Sequence, residues 1–177
     1  MKRFDTKLQR ATIGAVLLLA AAATAPGCDD GGTTTTPGGG GVTVGCEGTV
    51  TCTGEICRVA GEFCEDLHFT ADKKWLLQGG VFIGDEATEG AYTLTVDAGT
   101  TVFGEAASKA FLTIRRNSKI EAVGTKDAPI VFTSSKTAGS RGRGDWGGVV
   151  INGSAPINGC STSPCEASGE GGTGTYG

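Results

Sequence analysis

From Trp75 onward, short apolar runs return at a nearly constant interval: Leu76-Leu77, Leu94-Thr95-Val96, Leu112-Thr113-Ile114, Ile130-Val131-Phe132 and Val149-Val150-Ile151, at steps of 18, 18, 18 and 19 residues. Self-similarity at this length predicts a solenoid, because a unit of that size cannot bury its own apolar face and must stack on its neighbours to do so. The alternation Leu94/Val96 and Leu112/Ile114 has period two, Thr and Val are frequent, and turn residues separate the runs, so the units are expected to be strands and not helices. A second strand follows each turn: Thr101-Val102-Phe103 after Asp97-Ala98-Gly99-Thr100, and Ser118-Lys119-Ile120 after Arg115-Arg116-Asn117. Each unit of 18 therefore reads as strand, tight turn, strand. Gly99 and Asn117 take equivalent places in the two turns, and both tolerate the positive φ of a repeated left-handed position.

The run Leu112-Thr-Ile-Arg-Arg-Asn-Ser-Lys-Ile-Glu-Ala-Val-Gly-Thr-Lys-Asp-Ala-Pro-Ile-Val-Phe-Thr-Ser, followed by Gly144-Asp-Trp-Gly-Gly-Val-Val-Ile-Asn-Gly, resembles secreted proteins of myxobacteria and Bacteroidetes-type bacteria. The resemblance covers about residues 75–158 and is carried best by Ile-x-Ala-x-Gly-Thr and Pro-Ile-Val-Phe-Thr-Ser. It implies an all-β fold, a partial right-handed parallel β-helix of the pectin-lyase-like type over residues 69–177, and it speaks to architecture far more than to activity. In such relatives further coils follow, so a stack truncated at its C-terminus is expected here, with an uncapped strand edge prone to aggregation.

The first ten residues set Lys2, Arg3, Lys7 and Arg10 against Asp5, and an apolar stretch over 13–25 follows, the layout of an export signal. That stretch is well below the roughly 20 residues needed to cross a bilayer. Cys28, directly after Ala25-Pro26-Gly27, resembles the lipidation site of a bacterial lipoprotein, although Ala25 stands where Leu is usual and Pro26 occupies the middle. The resemblance implies a signal peptide over 1–27 and acylation (palmitate-type) of Cys28. Several acyl chains, at about 0.8 kcal/mol per buried methylene, hold a protein on a membrane almost permanently. Asp29 matches the inner-membrane retention pattern of enteric lipoproteins, a pattern other lineages do not obey, and the expected address is the cell envelope, at the outer membrane or cell surface. Plain secretion with Cys28 a spare thiol and a retained membrane anchor are the alternatives. Residues 28–44 are rich in Gly and Thr, the run Asp29 to Gly41 has no apolar residue to bury, and the stretch reads as a tether with a reach of roughly 20 Å.

Setting Cys28 aside leaves Cys46, Cys52, Cys57, Cys64, Cys160 and Cys165, an even set that in an oxidising compartment reads as up to three disulfides. Sequence alone leaves 15 pairings open. Proximity favours Cys160 with Cys165 and two bridges among the four cysteines of the segment 45–68, whose stability is expected to come largely from cross-links. A metal site using these thiolates and His68 is the rival reading. The gaps of five, four and six residues lack the close pairs of structural zinc sites, so no metal is expected there.

The whole chain has a net charge of −4; residues 28–177 carry 11 basic and 18 acidic residues, a net of −7, because the first 27 take four cations and one acid with them. That balance argues against nucleic acid as a partner. Arg115, Arg116, Arg141 and Arg143 form local basic spots, read as exposed loop charge, with contact to an anionic sugar as the sharper alternative. Asp85, Glu86 and Glu89 share one loop and Asp97 lies in a later turn, a set able to supply oxygen ligands for calcium but without diagnostic spacing. The sole histidine, His68, stands outside any catalytic motif, and no serine sits in a nucleophile motif, so no catalytic residues are assigned. Trp75 and Trp146 each stand just ahead of an apolar strand and are expected to pack at coil corners, sugar stacking being the alternative. The expected role is a membrane-anchored lipoprotein whose β-helical body displays loops for adhesion, with a carbohydrate or cell-surface partner. Two alternatives remain: a fragment of a polysaccharide-active β-helix enzyme whose catalytic coils lie elsewhere, and a small disulfide-stapled ligand module over 45–68.

Overall fold

The computed structural model describes residues 46–87, 90–158 and 165–177. The chain divides into two units, Met1–Thr36 and Pro37–Gly177, and all described residues belong to the second. The signal, Cys28, the tether, Glu89 and Cys160 lie outside the described residues.

Alternating apolar and polar residues form ten main strands: β1 (Thr49–Thr53), β2 (Ile56–Phe63), β3 (Leu67–Phe69), β4 (Lys74–Ile83), β5 (Thr93–Val96), β6 (Thr101–Gly104), β7 (Phe111–Ile114), β8 (Lys119–Ala122), β9 (Val131–Ser134) and β10 (Gly148–Ile151). Two short strands, β11 (Ala167–Ser168) and β12 (Thr175–Tyr176), make a small hairpin, and no α-helix occurs among the described residues. Only β1/β2 and β11/β12 pair antiparallel; every other ladder is parallel.

The parallel ladders lie on three faces of one coil. The first face stacks β2, β4, β6 and β9; the second stacks the ends of β2 and β4 with β7 and β10; the third stacks β3, β5 and β8. Strands β2 and β4 each serve two faces, and their ladder breaks where the chain bends, between Val59 and Gly61 in β2 and at Gly79, with a φ of 61°, in β4.

The turn length differs from the sequence expectation. Lys74 pairs with Thr101, 27 residues on, Thr101 with Val131, 30 on, and Leu94 with Ile120, 26 on, so one turn holds three strands and not the two of an 18-residue unit. An 18-residue step covers two of the three faces: Leu76 is on the first face, Leu94 on the third, Leu112 on the second and Val131 on the first again. The last step, to Val149 on the second face, advances one face only because the loop 135–147 intervenes. All three faces carry the same inward alternation, so periodicity in the sequence counts strands without telling which face each occupies.

The core is the inside of this coil. Val59 and Leu77 stack on the first face, Val81 and Leu112 as well as Phe63, Ile83 and Ile114 on the second, and Phe69 and Val96 on the third, all buried. Each such side chain contributes about 1.5–3 kcal/mol by leaving water. Gly99 and Asn117 adopt φ of 87° and 66°, the left-handed turn conformation their positions require. The cysteine-rich segment is part of the coil: β2 lies in parallel register on β4, with Cys57 beside Trp75, and Val59 and Phe63 are core residues. The stack therefore begins upstream of residue 69, and apolar burial stabilises that segment together with its cross-links.

Candidate functional site

The loop 135–147 connects the first face to the second and folds back along the preceding turn. Its centre is Asp145, buried, whose Oδ1 accepts a 2.5 Å hydrogen bond from Lys136 Nζ and whose Oδ2 accepts one of 2.8 Å from the Gly142 N–H. The Lys136 ammonium, first, and the Gly142 amide hold the Asp145 carboxyl down at about 2, so it stays charged throughout the ordinary pH range. Lys109 Nζ donates to the Gly144 carbonyl at 2.6 Å and the Gly147 N–H donates to the Ala110 carbonyl at 2.8 Å, fastening the loop to the turn below. The Trp146 ring lies on Gly104, close enough that a Cβ there would stand 2.3 Å from it; only glycine fits.

These anchors leave an open groove of about 480 Å³ lined by Phe132, Thr133, Ser134, Arg141, Gly142, Arg143 and Trp146. Arg141 donates from Nε to the Lys136 carbonyl at 2.9 Å and its guanidinium sits 5.9 Å from the Phe103 ring centre. Arg143 is exposed and makes no ion pair or hydrogen bond among the described residues. A fixed indole edge, an aromatic-backed guanidinium and a free one make a surface able to hold an anionic or ring-shaped ligand. The sequence signals for it are the alternative readings of Arg141 and Arg143 as an anionic-sugar contact and of Trp146 as a sugar-stacking ring; the Lys136–Asp145 pair that shapes the loop carries no motif of its own.

The other two arginines behave differently from the exposed loop charge expected of them. Arg115 is buried: its Nη1 donates to the Glu62 carboxylate and, at 3.2 Å, to the Gly84 carbonyl, and the guanidinium lies 4.5 Å from the Phe82 ring centre. Arg116 pairs with Glu166 at 2.5 Å and donates to the Gly177 carbonyl at 3.3 Å. The partners of Arg115 come from the two preceding turns and those of Arg116 from the residues flanking the β11/β12 hairpin, and a charge held away from water persists only with such partners. Of the two tryptophans expected at coil corners just ahead of a strand, Trp146 lies in the loop before β10, whereas Trp75 lies inside β4, stacked on Phe69 at 4.2 Å with its Nε1 donating to the Thr70 carbonyl, and is core.

Cys46 is joined to Cys64 and Cys52 to Cys57, and Cys165 is also disulfide-bonded. The Cys46 and Cys64 sulfurs lie within 4.8 Å of an Asp85 carboxylate oxygen, but sulfurs joined to each other are not thiolate ligands. His68 lies apart from the cysteines, its Nε2 2.7 Å from Asp97 Oδ1 on the third face. Asp97 thus serves His68. Asp85 accepts from the Ala87 N–H, and Glu86 Oε1 accepts from the N–H and hydroxyl of Thr175 while its Oε2 lies 3.9 Å from Arg115. Of the acids considered as calcium ligands, Asp85 and Glu86 are therefore engaged at one corner and Asp97 at another, with Glu89 outside the described residues.

Residues 61–177 match the model of a family described as a pectate-lyase like beta helix domain. No curated protein and no solved structure matches the chain. With parallel strands coiling in three faces and a family match across well over half its length, the chain belongs to the pectate-lyase-like β-helix family.

Proposed function

We propose that this protein is a lipid-anchored cell-envelope β-helix that displays the groove beside Trp146 as a binding surface and performs no chemistry on what it binds. The observation that carries the binding role is the preorganised loop: Asp145, Lys136 and Lys109 are spent on fixing it, which leaves Arg143 free and Trp146 presented next to Phe132 and Arg141. Groups of this kind hold a ligand; they are poorly suited to moving a proton, since a guanidinium does not titrate near neutral pH. The cationic start, short apolar stretch and Cys28 support the anchor, and the Gly/Thr-rich residues after it support a tether that carries the body clear of headgroups. The partner of this surface is a carbohydrate or a cell-surface component.

Two measurements test the reading. Intact mass spectrometry of membrane-extracted protein should give a chain starting at acylated Cys28, and Cys28→Ala should move the protein to the soluble fraction; an unlipidated mass removes the anchor. Immobilised envelope polysaccharides should retain the purified protein, and Arg143→Ala with Trp146→Ala should weaken retention at least tenfold without loss of strand signal. The family match favours one second reading, a polysaccharide-active β-helix. Release of unsaturated or reducing ends from those polysaccharides by the purified chain would select it over display.

A further inference from the structure

Three stretches of chain far apart in sequence meet at one corner of the first two turns: Cys46 in the lead-in to β1, Cys64 just past β2, and Asp85 just past β4. The two Sγ atoms and a carboxylate oxygen of Asp85 all lie within 4.8 Å of one another. Stacking sets this geometry. Phe63 is in register with Ile83, and the Gly84 N–H donates to the Phe63 carbonyl at 2.9 Å, so Cys64 and Asp85 leave adjacent turns at the same place. Gly84 bends the chain there with a φ of 106°, and a Cβ on it would collide with the Ser118 hydroxyl, so only glycine can deliver the aspartate to this point. Cys46 reaches the corner because Glu47 and Gly48 lie against Gly61 and Phe63. Among the described residues no other three side chains of His, Cys, Asp or Glu converge in this way.

Asp85 is 6% exposed, Cys64 is half-buried and Cys46 is exposed. A carboxylate sheltered to that degree is held by hydrogen-bond donors or positive charge, and the Ala87 N–H gives Oδ1 one such bond at 2.8 Å. A disulfide has neither to offer the carboxylate beside it. Parted and deprotonated around a cation, the same two sulfurs join the carboxylate in a set of two soft donors and one hard one, which suits Zn²⁺. Donors on one tetrahedral zinc, at about 2.0–2.3 Å from it, stand roughly 3.5–3.8 Å apart. Atoms already within 4.8 Å lie close to that arrangement, and with the two cysteine Cα atoms 5.6 Å apart, side-chain rotation is enough to open the sulfurs to it. The fourth position falls to water, as in zinc sites with three protein ligands. The other bridge offers no such set, because Cys57 is 1% exposed and no carboxylate converges on it.

We propose that Cys46, Cys64 and Asp85 form a redox-gated zinc site, closed while the two sulfurs are joined and open to the ion once they are parted. The exchange balances. A dithiol reductant gives the bridge two electrons and two protons, becoming a disulfide itself and leaving two thiols, and Zn²⁺ then displaces those two protons. Re-oxidation by a disulfide takes the two electrons back and expels the ion. In a chain not yet oxidised, the ion holds the lead-in on the stack and keeps these two thiols from pairing with Cys52 or Cys57. Bridge and ion thus serve the same corner in two redox states, and the site stands apart from the groove beside Trp146 and from whatever that groove binds.

The test reduces the purified full chain with a phosphine, removes the phosphine, and labels the thiols with an alkylating reagent with and without one equivalent of Zn²⁺. Peptide mass spectrometry should show zinc protecting Cys46 and Cys64 while the labelling of the other cysteines is unchanged. Co²⁺ in place of Zn²⁺ should give the visible bands of a tetrahedral ion together with sulfur-to-metal charge transfer, and the oxidised chain should give neither. Zinc should raise the melting temperature of the reduced chain and leave that of the oxidised chain where it is. Asp85→Ala should weaken zinc at least about tenfold, the loss typical of even an outer partner, with the strand signal in circular dichroism retained. If that variant loses its strand signal, the labelling of the parent chain decides. A reduced chain that takes up no zinc overturns the proposal. So does zinc that protects Cys52 and Cys57 as well as it protects Cys46 and Cys64, or zinc uptake by a folded Asp85→Ala protein equal to the parent's.

Discussion

At the first turn Val59 lies beneath β1 and Phe63 against Gly48 just ahead of it, and two disulfides fasten the hairpin and its lead-in to the stack; at the last turn Val149 and Ile151, on the second-face ladder that Phe63 begins, stand open to solvent. The side chains are of one kind and their inward orientation is shared. What differs is the presence of a neighbour. In a solenoid, burial is conferred by the adjacent turn, so an apolar residue stabilises only where something is stacked upon it. The closed end uses an antiparallel strand and covalent bonds in place of the missing neighbour, and the open end has no equivalent among the described residues.

The sharpest way to break this contrast is to truncate the same residue type at two levels of one ladder. Ile114→Ala, in the enclosed interior, should cost about 2–5 kcal/mol in urea unfolding. Ile151→Ala, at the exposed end of the same ladder, should cost less than about 1 kcal/mol. Equal losses would mean that the last turn is packed after all. Next in size are the bridges of the closed end. Replacing Cys46 and Cys64 by Ala opens a loop of 18 residues and should cost about 3 kcal/mol, and replacing Cys52 and Cys57, separated by five, about 2 kcal/mol. Thermal unfolding of the two double variants tests the ordering; no change in either would assign the end's stability to β1 pairing alone.

The smallest effect concerns the loop near the open end. The Asp145 carboxyl is lowered by Lys136 and the Gly142 amide, so its contribution is present above the carboxylate's unfolded value of about 3.8 and is lost as pH falls through about 2. Trp146 fluorescence should therefore change between about pH 4 and pH 2, before global unfolding, and Asp145→Asn should already show the acid-form spectrum at pH 7. A Trp146→Phe protein identifies the signal. A pH-independent emission in the parent would show that the loop is held without the ion pair.

The sequence displayed the strands well because each carries its own alternation, and the left-handed turn residues Gly99 and Asn117 were readable because so few residues tolerate that conformation. The number of faces was hidden. Three strands that look alike give a spacing that counts strands, and the 18-residue interval is compatible with two faces or three until Lys74 is seen beside Thr101. The membership of 45–68 in the coil was masked by its cysteines, which suggest a cross-linked module, whereas Val59 and Phe63 are ordinary core. For the groove, the aromatic and both arginines could be listed from the chain, but their assembly depends on Asp145 accepting from Lys136 nine residues away, a pairing between common loop residues with no distinguishing pattern.

Arg115 has a bearing on how the coil comes apart. It stands on the third turn, passes over Phe82 of the second and ends on Glu62 of the first. A stack whose layers touch only adjacent layers melts like a one-dimensional chain, fraying from whichever end is weaker and populating partly opened forms. An ion pair that skips a layer couples non-adjacent ones, so the first three turns gain or lose their structure together. Hydrogen exchange should accordingly find one protected block reaching from β2 to β7, with the fourth turn opening on its own.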